Sequence, residues 1–437
     1  QGWFPEISDR PEGWQSPEVV VEGGGVLKFT NNRAVIFGGA MQTEAQRSYH
    51  DNPNDRFSVP ALDDLCKLSE TIQLRVRGHG SSLVVHNNSA TIGGGLCGLS
   101  VNSVGYPEVA HCSHKDRNHG SWTFESGSRS FFTDNQALPF DQQPQLARAL
   151  IDAVLADDST AMSGFASSNE VHGGSIGSVN HNIYIKGTGT LVDVTRSSAY
   201  ISGGGFMGKE NFLELSGAAT FALHGNQAGL SGGGVGLLIE STCIMRDAAS
   251  TLKVSDNRAE YGGGILIQYN GNMFLYDGAA VNASRNSAAK NGGGLTLMTG
   301  SSLISDIHSS AMFYNNIARG RDDGGGGAIS MPPGTVLRLD GMSEFFSNIA
   351  EQSNGGGISA HPSGKDDGSG VCVDIKMIML QPGSTEPLRN SKLPDGTSIA
   401  KREHSTVKVS PRVAQLEGRI ETSRKEGFFY NNSAVAA

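Results

Sequence analysis

The stretch Leu223-His224-Gly225-Asn226-Gln227-Ala228-Gly229-Leu230-Ser231-Gly232-Gly233-Gly234-Val235 decides the fold, because the chain repeats it. An Asn-x-Ala triplet is followed a few residues later by a run of glycines and then by apolar residues. Glycine blocks begin at Gly173, Gly203, Gly232, Gly262, Gly292, Gly325 and Gly355, so successive blocks lie 30, 29, 30, 30, 33 and 30 residues apart. A repeat of this length means one supersecondary unit stacked on copies of itself. The Asn-x-Ala element recurs with it at Asn226, Asn257, Asn286, Asn316 and Asn348, and outside the regular block at Asn32, Asn88, Asn135 and Asn432. An apolar residue usually stands three before the Asn: Phe29, Phe132, Phe313, Phe345 and Phe429 give Phe-x-x-Asn, with Val85, Leu223 and Val254 as substitutes.

Between these landmarks lie short, partly alternating apolar stretches such as Thr251–Val254, Gly264–Ile267 and Gly294–Met298, bounded by Gly, Asn, Asp or Ser. They read as strands. Three of them with their turns use up one repeat, which predicts an all-β chain: a right-handed parallel β-helix, a three-sided solenoid with coils of about 30 residues. Stacking at ~4.8 Å places each inward residue over its equivalent in the next coil. Inward Phe rings then stack, and inward Asn side chains form an amide ladder. Gly supplies the positive φ of a sharp corner and the room for close backbone approach.

Composition agrees. The 437 residues contain 59 Gly, 37% hydrophobic and 7% aromatic residues, too little for one thick globular core but enough for the thin inner stripe of a solenoid. The formal charge of −9, with no basic run, argues against nucleic acid as a partner. No apolar stretch is long enough to span a bilayer.

The pairing of Gly-Gly-(Ala/Ile/Leu/Val) with Phe-x-x-Asn resembles the repeats of the polymorphic outer membrane proteins of chlamydiae and of large secreted proteins of algae and other protists. It is carried by Phe29-Thr30-Asn31-Asn32 with Gly38-Gly39-Ala40, Phe313-Tyr314-Asn315-Asn316 with Gly326-Gly327-Ala328, and Phe345-Phe346-Ser347-Asn348 with Gly356-Gly357-Ile358. The resemblance covers most of 20–40, 83–96 and 170–360 and returns at 428–434. It implies a β-helix displayed outside a cell, with adhesion as the usual role. The triple glycines and the lack of a recognisable C-terminal membrane barrel depart from the bacterial pattern.

One solenoid is expected over 1–437, most regular from 170 to 380, with insertions at 41–80, 97–170 and 381–427. Gln145–Leu155 reads as a short amphipathic helix, since Leu146, Leu150 and Val154 fall four apart behind Pro144. The motif restarts near the C-terminus and breaks off within a coil, which leads to the expectation that another segment or another copy continues the stack.

Candidate chemistry is sparse. Cys97 and Cys112 flank a loop with His111 and His114 and read as a disulfide, with Cys66 as another partner; the alternative Cys/His zinc site matches no familiar spacing. Arg77-Gly78-His79-Gly80 contains the Gly-His-Gly of polygalacturonases, but the carboxylates of that chemistry do not accompany it, and a turn is the simpler reading. Asp322-Asp323 and Asp366-Asp367 read as solvated loop charge rather than a Ca²⁺ site. Asn87, Asn282 and Asn431 begin N-glycosylation sequons.

No catalytic residue, metal or cofactor is called for. The expected role is a secreted or cell-surface structural module of a fibre, surface layer or flagellar-hair-like assembly, partnered by other protein segments or copies of the chain. The alternatives are an adhesin that binds a host receptor or glycan through its insertions, and a pectin-lyase-like carbohydrate-active enzyme.

Overall fold

The computed structural model describes residues 18–34, 37–46, 71–101, 120–139, 172–320, 325–332, 334–352, 356–360, 419–421, 427–430 and 433–434. They are all β. Strands fall into four ladders of 10, 10, 9 and 9 strands, and in each ladder neighbours are equivalent segments of successive coils. One coil shows the pattern. Asn182–Lys186 lies on a first face, Leu191–Thr195 on a second, Ser198–Ala199 in a short corner ladder, and Phe206–Lys209 on a third face. The chain then returns to the first face at Phe212–Ser216. Pairing is parallel throughout, as in Leu191↔Thr220 and Val194↔Leu223. This is a parallel β-helix.

The expected three sides become three long faces plus a fourth ladder two residues wide. The reason lies in Asn-x-Ala itself. The two residues after each Asn are extended and pair across coils, as Gln136↔Ser198 and Ala137↔Ala199 do, so the corner is itself a strand.

Alternation sets the interior. On the second face the strand Leu191–Thr195 buries Val192 and Val194 and turns the residues between them outward. Stacking then builds the column Val85, Phe132, Val194, Leu223, Val254, Ala283, Phe313 and Phe345. Phe313 and Phe345 lie parallel, with centroids 5.5 Å apart and planes 6° apart, the aromatic stack that Phe-x-x-Asn predicts. The first face contributes Leu74, Trp122, Ile183, Leu213, Cys243, Met273, Leu303 and Leu337. Each large apolar side chain buried here stabilises the stack by ~1.5–3 kcal/mol.

The outside of the third face is also buried. Cys97, Met207 and Leu266 point away from the interior, yet pack with Ile92 and Leu238 in a second cluster. They alternate along the stack with Gly177 and Gly236. A Cβ on Gly177 would press against Gly93 and Ile92, and one on Gly236 against Gly203. The segment leading into each glycine block therefore folds over this face, and the missing side chains make room for it.

Strands occupy Thr71–Arg77 and, over 120–137, Gly120–Glu125, Arg129–Thr133 and Gln136–Ala137, inside stretches that the glycine spacing assigns to insertions. Those coils are complete in their Phe-x-x-Asn or Val-x-x-Asn part, but residues 140–171 separate Asn135 from its glycine block at Gly173, so the glycine count passes over them. The expected helix Gln145–Leu155, and nearly all of 381–427, lie outside the described residues.

Candidate functional site

The recurrent Asn residues form one column at the start of the corner ladder. Asn257 is typical. Its Nδ2 donates to Leu223 O in the preceding coil (3.0 Å) and to Asn286 Oδ1 in the next (3.0 Å). Its Oδ1 accepts from Asn226 N (2.8 Å) and Asn226 Nδ2 (3.1 Å). All of its side-chain capacity is spent on neighbouring coils. The same contacts link Asn286 to Asn316, Asn316 to Asn348, and, nearer the N-terminus, Asn32 to Asn88 and Asn88 to Asn135. Asn88, Asn135, Asn226, Asn257, Asn286, Asn316 and Asn348 are buried.

One coil lacks the Asn and carries Ser197. The ladder is bridged there by Ser175, which stands where other coils have the third glycine. Its hydroxyl lies 2.5 Å from Ser197 Oγ and accepts from Asn135 Nδ2 at 3.1 Å. Ser197 N then donates to Asn226 Oδ1 (2.9 Å). A search for Asn alone misses this position.

The left-handed residue of the corner is the one before the Asn. Asn31, Asn87, Asp134, Arg196, Asp256, Arg285, Asn315 and Ser347 all have φ between 50° and 60°. Their side chains therefore project outward. Two of these corners carry the same arrangement: Arg196 grips Asp134 and Arg285 grips Asp256 through two hydrogen bonds each, all of 2.6–2.9 Å. His86 lies 3.5 Å from Asp134 and His224 lies 3.1 Å from Asp256. The Arg285 guanidinium holds the Asp256 carboxyl below its ordinary range, helped by His224 and Ser255 and opposed by partial burial.

Each glycine of a block has its own task. The first, as at Gly203, Gly232, Gly262 and Gly292, has φ of 58–67° and turns the chain. The second packs backbone on backbone: a Cβ on Gly233 would strike Gly263 O and Arg258 O. The third faces the Asn column and tolerates Ala40, Ser175 or Ala328. Gly326, with φ 62°, is the equivalent of Gly292, so this repeat is 34 residues long; Gly324 and Gly325 are extra glycines ahead of the turn, and the count of 33 begins on one of them. Gly355, Asn431 and Asn432 lie outside the described residues.

The remaining candidates are dispersed. Cys97 is buried in the outer cluster of the third face, and Cys112 lies outside the described residues, as do Cys66, His111, His114, Asp322-Asp323 and Asp366-Asp367. Cys243 is a free thiol in the core, and burial pushes its pKa up to about 12. His79 is the exposed tip of a turn between the first and second faces, flanked by Gly78 and Gly80 at φ 88° and 85°. Of the sequons, Asn87 sits exposed at an outer corner, where its Nδ2 donates to Asn31 Oδ1 (2.7 Å), and Asn282 lies mid-strand on the second face. Among the described residues no group of three His, Cys, Asp or Glu is placed to hold a metal ion, and no helix is long and apolar enough to cross a membrane.

A concavity crosses the outside of the first face, with a volume of about 560 Å³. Its floor is polar: Ser121, Thr123 and Asn182, all less than a tenth exposed. Tyr184 and Phe212 are neighbouring rings, with centroids 6.0 Å apart and planes tilted by 56°. Lys186 Nζ lies 4.0 Å from the Tyr184 ring centroid. Ile72, Arg75, Arg246, Glu125 and Glu214 complete the lining, and Arg75 is engaged by Glu18 (3.0 Å). Outward residues carry no periodic signal, so the sequence pattern gives no hint of this groove.

No family model, curated protein or solved structure matches this chain.

Proposed function

We propose that the chain is a structural β-helix module of a secreted or cell-surface assembly, a non-catalytic segment of a fibre, surface layer or flagellar-hair-like structure. The observation that carries this reading is the Asn column. The recurring polar side chains are consumed in coil-to-coil hydrogen bonds, so the chemistry that the repeat maintains is mechanical. Such an interior resists bending and extends by adding coils. The resemblance to polymorphic outer membrane protein repeats supports the same placement outside the cell. Antibody labelling of intact cells of the source organism, with mass spectrometry of sheared surface material, tests it. Recovery with surface filaments or wall material is the expected result. A chain confined to the cytosol, or purified from cells only as a free monomer, refutes it.

The groove favours a second reading, adhesion. It places aromatic, charged and hydroxyl groups together on an outer face that the scaffold does not need. Under that reading the rod presents the groove to a ligand on another surface, and the test is adhesion of cells or beads coated with the chain.

A further inference from the structure

We infer that the groove on the first face is a binding site for a neutral oligosaccharide, an inference that rests on the adhesive reading. Three observations point to this ligand class. The first is that the sheet beneath the groove has no backbone groups to offer. Its strands pair on both sides, Ile183 with Trp122 and Leu213 for example, so an extended peptide gains no main-chain hydrogen bonds there and recognition falls to side chains.

The second is the balance of charge. The lining carries both signs: Lys186 stands beside Glu125 on the neighbouring strand, Glu214 beside Tyr184, and Arg246 at the far end. A polyanion would meet the two carboxylates, and a polycation the two cations. A neutral polyol satisfies both, since each sugar hydroxyl donates to carboxylate and accepts from guanidinium or ammonium. Two buried polar atoms of the lining, Ser121 Oγ and Arg246 Nε, also lack a hydrogen-bond partner, and such atoms are costly unless a ligand or water meets them.

The third is shape. The groove runs across the strands from the Arg75 strand to the Arg246 strand, four strand spacings or roughly 19 Å. Its volume of about 560 Å³ lies within the range of small-ligand sites, and its run across several strands favours a short linear chain within that range. Within it Tyr184, tilted by 56° to the more deeply buried Phe212 and with Lys186 Nζ over one face, offers apolar ring surface to the C–H face of a sugar, while the hydroxyl and amide floor meets the sugar's edge.

Isothermal titration of the full chain with cello-, xylo-, malto- and chito-oligosaccharides, beside oligogalacturonate and heparin fragments, tests the inference. One neutral series is expected to bind, with little dependence on salt. Tyr184→Ala is expected to weaken it about tenfold, the equivalent of the ~1.4 kcal/mol expected of an aromatic contact. Glu214→Gln, which keeps shape and fold, is expected to weaken it several-fold. Lys253→Ala, on the second face, is the control and is expected to bind as the parent does. Failure of every neutral series with a folded protein overturns the inference, as does preference for the acidic glycans or unchanged binding by both groove variants. Adhesion of coated beads that persists in the groove variants overturns the glycan assignment and leaves the adhesive reading standing. Loss of bead adhesion in parallel with saccharide binding supports both.

Discussion

Replacing Asn257 by Ala is the most direct trial of the ladder. The substitution deletes four side-chain hydrogen bonds, of 2.8–3.1 Å. The two donors it orphans, N–H and Nδ2–H of Asn226, belong to a residue 1% exposed. Each buried donor left unmet costs ~1–3 kcal/mol, which sets the expected loss at about 2–5 kcal/mol. The hole is polar and faces four potential partners, so a water that enters it would bring the loss toward the lower end of that range. Because coils interact only with neighbours, the damage is local, and the halves on either side of residue 257 are expected to melt separately. Urea denaturation followed by circular dichroism, with hydrogen exchange on peptides covering 220–260, reads both effects.

The Ser175–Ser197 bridge supplies a second arm. Asn257→Ser alone leaves a gap, and Gly234→Ser alone crowds Val254 Cγ1 and Asn257 Nδ2, at 2.8 and 3.0 Å from the new Cβ. Together they recreate the pair that Ser175 and Ser197 form two repeats earlier. The double variant is expected to be more stable than the sum of its parts predicts, by ~1 kcal/mol, a coupling typical of residues in one hydrogen-bond network. A loss below about 1 kcal/mol for Asn257→Ala, with unchanged exchange at Asn226, would refute the ladder as a source of stability.

Three further outcomes follow from the same geometry. Gly233→Ala drives a Cβ into backbone oxygens that no rotamer can move, and is expected to abolish soluble expression, whereas Gly205→Ala, at the position that accepts Ala in other coils, meets the movable Leu223 Cδ2 first (2.8 Å) and lowers stability by only ~1–3 kcal/mol in a thermal melt. Cys243, buried and with its thiol pushed up to about 12, is expected to resist alkylation at pH 8 until urea unfolds its coil, as mass spectrometry of labelled peptides would show. Asp256 is held below its ordinary pKa, so its contribution is complete at neutral pH and is lost as pH falls below ~4. For a surface pair this is ~0.2–1 kcal/mol, and Arg285→Ala is expected to remove that part of the acid dependence in pH-resolved urea melts.

The fold was legible because the interior repeats. Asn226, Asn257, Asn286, Asn316 and Asn348 occupy one physical environment, and one environment selects one residue type; hence the period. The same logic explains what escaped notice. Ser197 changes residue type while keeping the function of the column, with its compensation displaced to Ser175. Gly177 and Gly236 are required by segments one coil away, so they fall outside the blocks. Residues 120–137 form a coil whose glycine block is postponed to Gly173, and counting glycines skips it. The groove was illegible for a different reason: Ser121, Tyr184, Phe212 and Arg246 share a face only through the register of four strands, and no two of them repeat.

The surfaces of this rod are not equivalent. The third face is covered by its own chain at Ile92 and the glycine blocks, and one corner is tied by Asp134–Arg196 and Asp256–Arg285, so both spend their side chains internally. On the first face, between Arg75 and Arg246, buried polar atoms stand without protein partners over a floor of small hydroxyl residues. Groups that stabilise the rod and groups left over from it are thus on different residues, one set facing inward and one outward from alternating positions of the same strands. Perturbations should separate accordingly. A ladder variant such as Asn316→Ala lies two coils beyond the one that carries Arg246, the groove's far edge, and because solenoid coils unfold by neighbourhood it should lower stability while leaving saccharide affinity intact below its melting transition. Tyr184→Ala should do the reverse. If affinity instead falls with Asn316→Ala under conditions where circular dichroism shows the rod folded, the two roles are coupled through the stack, and the division between scaffold and site is wrong.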